Sequence, residues 1–290
     1  MTAPATARRR MLTGLPITER RLDVGGVATS VLEAGEGPVL VLLHGGIECG
    51  GAYWAPVIAR LAERYRVVVP DVPGLGESAP VERLDVETFT TWIGDLLAQT
   101  HASQPTLVAH SLLGSLATRY AVRHGDALGK LVIYGAPGVG PYRMPARLRY
   151  VAIRFGIRPT ARNAERFDRF AMLDLDATRK HDPPWFEAFD EYTRSRAGVA
   201  HVKRTMRQLI GAQTRPIPDE ETARVTTSTT LLWGRHDRMV PLRIAKRAAG
   251  MFGWPLHVVE DAAHAPHLEQ PDAFVQALAA VDAAVTERRR

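Results

Sequence analysis

Six short apolar runs, separated by stretches of helical period, constrain this chain more than any other feature. Val39-Leu40-Val41-Leu42-Leu43 is apolar without a break and stops at His44-Gly45-Gly46. Such continuity marks a strand covered on both faces. Arg66-Val67-Val68-Val69-Pro70 repeats the pattern before Asp71, and Thr106 to Ala109, Leu131 to Tyr134, Thr230 to Trp233 and Leu256 to Val259 complete the set. Helical candidates lie between or beyond them at about Ala52 to Arg64, Val86 to His101, Ser111 to His124, Leu242 to Phe252 and Pro271 to Ala284. Strand and helix in alternation predict an α/β fold, a doubly wound and mostly parallel sheet with helices on both faces. Upstream, Arg21 to Val24 and Ala28 to Leu32 flank Gly25-Gly26, which supplies the positive φ of a hairpin turn and predicts an antiparallel start to the sheet.

The alternation breaks between Val139 and Thr226, where no buried strand pattern occurs and proline, arginine and aromatic residues are frequent. Several short helices are expected there, forming a cap over residues 139–226 inserted into a core of residues 1–138 and 227–290. Met144, Tyr150, Phe155, Phe167, Phe170, Met172, Trp185, Phe186 and Phe189 would be mostly its helix core, some lining a pocket for an apolar acyl or ring substrate. Arg143 or Arg204 could hold a substrate carboxylate, although most arginines of this stretch are expected to be solvated.

The formal charge of +6 would suit a nucleic-acid binder, but it includes the runs Arg8-Arg9-Arg10 and Arg288-Arg289-Arg290. Without those six residues the balance is 6 − 6 = 0, so the body of the chain has no net basic excess and no nucleic-acid partner is expected. Arg8 to Arg10 read as part of a solvated tail, because Pro16, Glu19, Arg20 and Arg21 follow before any apolar segment forms. No uninterrupted apolar stretch reaches the 18 or so residues that span a bilayer, so no membrane partner is expected. One cysteine, Cys49, precludes an internal disulfide and fits a cytoplasmic protein.

The chemistry concentrates at three points. Ala109-His110-Ser111-Leu112-Leu113-Gly114 follows a buried strand and opens a helix, the setting of a nucleophile elbow. A serine hydroxyl is unreactive by itself and needs an imidazole to take its proton, which in turn needs a carboxylate to fix its tautomer. Asp237 stands just after the strand ending near Trp233, and His264 just beyond the strand ending at Val259. Ser111, Asp237 and His264 therefore emerge on the same carboxyl edge of the sheet, where open α/β sheets bind ligands.

On these residues the chain resembles the α/β-hydrolase superfamily, in its capped, cofactor-free branch. His44-Gly45-Gly46 is similar to the oxyanion loop, Asp71-Val72-Pro73-Gly74-Leu75-Gly76-Glu77-Ser78 to the Asp-x-x-Gly-x-Gly-x-Ser turn, and His264 to Pro271 to the histidine loop. The resemblance implies a Ser111, Asp237, His264 triad, in the chain order of that superfamily. It implies an oxyanion hole combining the backbone N–H of Leu112 with that of Gly46 or Ile47. It implies a small-molecule substrate and no metal or organic cofactor, and leaves the oligomeric state open. The elbow departs from Gly-x-Ser-x-Gly at Ala109 and Leu113. A leucine there demands a wider helix crossing or a local repack, costing about 1–3 kcal/mol if uncompensated, and Gly114 next along is placed to share the close approach.

Competing assignments are weaker. His110 sits on the turn beside Ser111, points away from it and reads as packing, while His236 and His267 read as loop and structural residues. Asp71 in its glycine-rich setting reads as a turn carboxylate capping N–H groups, and Cys49 has no elbow around it. No pair of histidines has the spacing of a metal site. Three activities fit: hydrolysis of an ester or related acyl bond, hydrolysis of a carbon–carbon bond in a vinylogous diketone, and a binding or biosynthetic module with weak hydrolysis, the last motivated by Leu113. Aspartate-nucleophile chemistry on epoxides or haloalkanes is disfavoured by a serine at the elbow.

Overall fold

The computed structural model describes residues 3–212 and 216–288. Arg289 and Arg290 of the C-terminal run, the side chain of Arg288, and residues 213–215 of the inserted stretch lie outside the described residues.

Among the described residues eight strands form one sheet: β1 (Thr18–Val24), β2 (Val27–Ala34), β3 (Val39–Leu43), β4 (Arg66–Pro70), β5 (Thr106–His110), β6 (Lys130–Tyr134), β7 (Ser228–Gly234) and β8 (Leu256–Val259), in the spatial order β1-β2-β4-β3-β5-β6-β7-β8. The six continuous apolar runs are β3 to β8, all parallel to their neighbours among themselves. Gly25 and Gly26, with φ of 58° and 81°, turn β1 back antiparallel onto β2. The chain winds outward from β3 to β4, then returns to the other flank of β3 to lay down β5. The order reverses between those two strands, which opens a crevice at their carboxyl ends.

Alternate residues of the central strands feed opposite cores. Val41, Leu43, Leu107, Ala109, Leu131, Ile133, Leu231 and Trp233 face α3 (Val86–Gln99), α4 (Ser111–His124) and α11 (Arg243–Phe252). Leu40, Leu42, Val108, Val132, Tyr134 and Leu232 face α2 (Ala55–Ala62) and α13 (Pro271–Arg288). Double coverage explains why these strands lack a polar alternation. Asp85 starts α3 by accepting the N–H of Thr88 at 3.0 Å.

Between β6 and β7 the regular elements among the described residues are all helices: α5 (Ala146–Ile157), α6 (Ala161–Ala171), α7 (Leu175–Arg179), α8 (Pro183–Ala197), α9 (Ala200–Ala212) and α10 (Asp219–Thr222). They meet the loops at the carboxyl edge through named bonds: His264 N–H to the Ala171 carbonyl at 2.9 Å, Leu173 N–H to Glu269 at 2.6 Å and Gln208 to the Glu82 carbonyl at 2.9 Å. Of the aromatic residues expected inside these helices, Tyr150 is instead exposed. It lies on the face of α5 opposite Leu148, Val151 and Phe155, which are buried.

The amino-terminal arginine run is not a free tail, although Arg9 and Arg10 are exposed as expected. It lies in helix α1 (Ala3–Leu12), whose Ala7 and Met11 are buried with Trp185, Phe189 and Tyr192 of α8. Arg8 is buried too, and both of its terminal nitrogens reach Glu19 at 2.8 Å. A short helix of low intrinsic apolarity is held by contacts distant in sequence, which local pattern cannot reveal.

Candidate active site

β5 runs straight into α4, and Ser111, the first residue of α4, stands at the junction with φ of 49°. A side-chain-bearing residue pays about 1–2 kcal/mol to stand in this left-handed region, and such strain persists where the surroundings over-determine it. Here the surroundings are the loop after β3. A Cβ on Gly45 would stand 3.2 Å from the Ser111 Cβ and 2.5 Å from His110 Nδ1, so only glycine lets that loop lie over the elbow.

Ser111 Oγ lies 3.0 Å from His264 Nε2, and His264 Nδ1 lies 2.8 Å from Asp237 Oδ2. All three residues are buried. The three side chains singled out from sequence thus meet in one hydrogen-bonded chain. The carboxylate fixes Nδ1 as the protonated nitrogen, leaving the Nε2 lone pair facing the hydroxyl. Asp237 is anchored in turn, because its Oδ1 accepts the N–H groups of Met239 and Val240, each at 2.8 Å. Gly135, with φ of 54°, ends β6 beneath this pair, and a Cβ there would stand 3.3 Å from the His264 ring and 3.5 Å from Asp237 Oδ2.

The histidine loop has a support that sequence reading missed. Glu269 is buried, and its Oε1 accepts the N–H groups of Ala263 at 2.9 Å and Ala265 at 3.1 Å, on either side of His264. Its Oε2 accepts Leu173 N–H from the segment after α6. Burial pushes its carboxyl above the ordinary range. The available signal was an acidic residue five positions after the histidine, in a short turn (α12, Pro266–Glu269) too brief to read as a helix. On the other side, His110 Nε2 donates to the His264 carbonyl at 3.0 Å while its ring stacks on Tyr134 with centroids 4.0 Å apart. Burial drives His110 well below the usual imidazole range, so it packs as a neutral ring.

The remaining candidates fall out as follows. Gly46 has φ of 74°, and a Cβ on it would stand 3.1 Å from Leu112 Cδ1, so its backbone crosses directly over the first residue after the serine. Ile47 N–H is turned toward His44 Nδ1 at 3.4 Å. Asp71 is a buried turn carboxylate accepting Gly51 N–H at 2.5 Å and Glu77 N–H at 2.7 Å, with burial raising it to about 6. His236 is exposed in its loop. His267 is buried, bonded through Nδ1 to the Tyr134 hydroxyl at 2.7 Å and pushed down to about 3 by burial. Cys49 is buried and its thiol raised by burial.

Leu113 is accommodated within the packed core. It is fully buried in the core between α4 and the sheet. The close approach falls at Gly114, where a Cβ would stand 2.6 Å from Ala136 Cβ and 2.9 Å from the Ala109 carbonyl oxygen. The requirement for a small residue has moved one position along the helix.

Next to the Gly46 loop is a small cavity lined by Ile47, Phe155, Phe167 and Phe189 together with Glu48, Asp168, Asp190 and Thr193. Its lining mixes apolar rings with acidic groups. Burial raises Glu48 to about 7 and Asp168 to about 8. Among the described residues no group of three or more His, Cys, Asp or Glu is arranged to hold a metal ion.

The model of the Alpha/beta hydrolase family matches residues 40–277, so the chain belongs to that family. It is 28% identical over 265 residues to the pimeloyl-[acyl-carrier protein] methyl ester esterase of Vibrio atlanticus, covering 84% of this chain and 94% of that one. It is also 28% identical over 273 residues to the 2-hydroxy-6-oxo-6-(2'-aminophenyl)hexa-2,4-dienoic acid hydrolase of Metapseudomonas resinovorans, covering 89% of each. Among solved structures, a bacterial membrane phospholipase A superposes with a TM-score of 0.82 at 23% identity, covering 98% of this chain and 91% of that one, a likeness of fold.

Proposed function

We propose that this protein is a serine hydrolase that cleaves an ester or related acyl bond of a small, largely apolar substrate, with residues 139–226 acting as its cap. The observation that carries the reading is the chain Ser111 Oγ, His264 Nε2, His264 Nδ1, Asp237 Oδ2, with spacings of 3.0 and 2.8 Å, ending on a serine with φ of 49°. Ser111 Oγ attacks the acyl carbonyl as its proton passes to His264 Nε2, and Asp237 stabilises the imidazolium. The carbonyl oxygen takes the negative charge and is held by the backbone N–H groups of Gly46 and Leu112. His264 then protonates the leaving alcohol, and water, deprotonated by the same nitrogen, releases the acid and restores Ser111.

Carbon–carbon hydrolysis of a vinylogous diketone is the second reading, favoured by the likeness to the Metapseudomonas resinovorans hydrolase. It uses the same three residues, so the substrate decides. The third reading, a module with weak hydrolysis, loses its motive, because Gly114 supplies the close approach that Leu113 does not. Turnover of a p-nitrophenyl acyl ester series is compared with that of a dienol diketone, in the wild type and in Ser111→Ala. Faster ester turnover, abolished by Ser111→Ala, is expected. Faster diketone turnover would transfer the assignment to carbon–carbon hydrolysis, and unchanged turnover in Ser111→Ala would remove Ser111 from the reaction.

A further inference from the structure

Helix α5 has two apolar faces, and only one of them is used by the fold. Leu148, Val151 and Phe155 point inward and are buried. Tyr150, Ile153 and Ile157, at the i, i+3, i+7 spacing of a single stripe, are 56%, 53% and 67% exposed. Scattered exposed apolar residues need no explanation, but an aligned stripe on one helix does. Its neighbours along the chain carry one sign of charge. Arg143, Arg147, Arg149, Arg154, Arg158 and Arg162 are all exposed, and the sequence holds no Asp or Glu between Asp126 and Glu165. Among the described residues none of these six arginines is paired with a carboxylate. Arg154 lies over the Tyr150 ring at 5.7 Å and Arg147 over Phe170 at 5.9 Å, so two of them rest on aromatic faces instead.

The near-zero balance of the chain body conceals this local field, because acidic residues elsewhere offset it. The absence of a bilayer-spanning helix among the described residues does not bear on a face that lies in the interface plane.

We propose that the outer face of α5 docks this protein peripherally on an anionic phospholipid surface, with Tyr150, Ile153 and Ile157 entering the headgroup boundary and the flanking arginines pairing with lipid phosphates. An apolar stripe bordered by arginines is the composition of an interfacial helix. Nucleic acid would engage the arginines, but it offers two isoleucines nothing to bury against. Each arginine near an anionic surface strengthens binding by about fivefold, and salt screens this part. The docking does not depend on the chemistry at Ser111.

The full chain is co-sedimented with vesicles of phosphatidylcholine alone or mixed equally with phosphatidylglycerol, across a salt series. Binding to the phosphatidylglycerol vesicles, weaker on phosphatidylcholine and weakening with salt, is expected. Ile153→Ser/Ile157→Ser and Arg149→Glu/Arg158→Glu, all changes at exposed positions, are each expected to lower vesicle affinity at least tenfold. Absence of binding to phosphatidylglycerol vesicles by the wild type overturns the proposal, as does equal binding by both double variants. So does tight binding of a 20-base-pair duplex without vesicle binding, which would make the arginines a nucleic-acid surface.

Discussion

Leu113→Gly restores the glycine that the family pattern places two residues after the nucleophile, and it should harm the protein. The Leu113 side chain is fully buried between α4 and the sheet. Its removal forfeits burial and leaves a cavity, about 2–5 kcal/mol for truncation to alanine, and a glycine inside the helix adds about 1 kcal/mol. Nothing offsets this, because the tight contact with Ala136 and Ala109 is made by Gly114 and is already relieved. The sum of about 3–6 kcal/mol is a large part of the 5–15 kcal/mol that holds a typical domain folded. Equilibrium urea unfolding followed by tryptophan fluorescence is the assay, with an unfolding midpoint well below that of the wild type expected. An unchanged or raised midpoint would refute the reasoning and mean that leucine strains the elbow.

Three further outcomes follow from the same structure. Glu269→Gln leaves one oxygen for three backbone donors and turns an amide N–H toward at least one of them, so turnover is expected to fall roughly 10–100-fold; unchanged steady-state kinetics would deny Glu269 its positioning role. Burial raises Glu48 from its ordinary 4.5 to about 7, so the folded state binds the proton more tightly, and the contribution of this group to stability falls as pH rises from about 4.5 to 7. Glu48→Gln should therefore gain on the wild type by about 1–3 kcal/mol more at pH 8 than at pH 4.5, and equal differences in urea midpoint at the two pH values would count against it. Deleting residues 1–12 removes the buried Met11, Ala7 and Arg8 and should cost at least about 2–3 kcal/mol; an unaltered melting curve would return the arginine run to solvent.

The sheet was legible because its central strands are buried on both faces, so a short, mainly apolar run marked each of β3 to β8 within a residue or two. The strand ends put Ser111, Asp237 and His264 at one edge of the sheet, and the resemblance to the hydrolase motifs singled them out there as a triad. What escaped was everything decided by contacts remote in sequence. Helix α1 is fixed by α8 and Glu19, the Glu269 brace by a fold-back onto residues 263 and 265, and the exposure of Tyr150 by which face of α5 found a partner. The shift of the close approach from position 113 to Gly114 depends on the path of α4 over Ala136, which no local pattern contains.

Ser111 as a nucleophile activated by His264 is open to direct test. A fluorophosphonate added to the wild type and to His264→Ala, followed by peptide mass mapping, addresses it directly. One adduct per chain is expected, on the peptide carrying Ser111, with labelling at least about 10³-fold slower in His264→Ala. An adduct on another residue, or labelling of Ser111 at the same rate without His264, would contradict it.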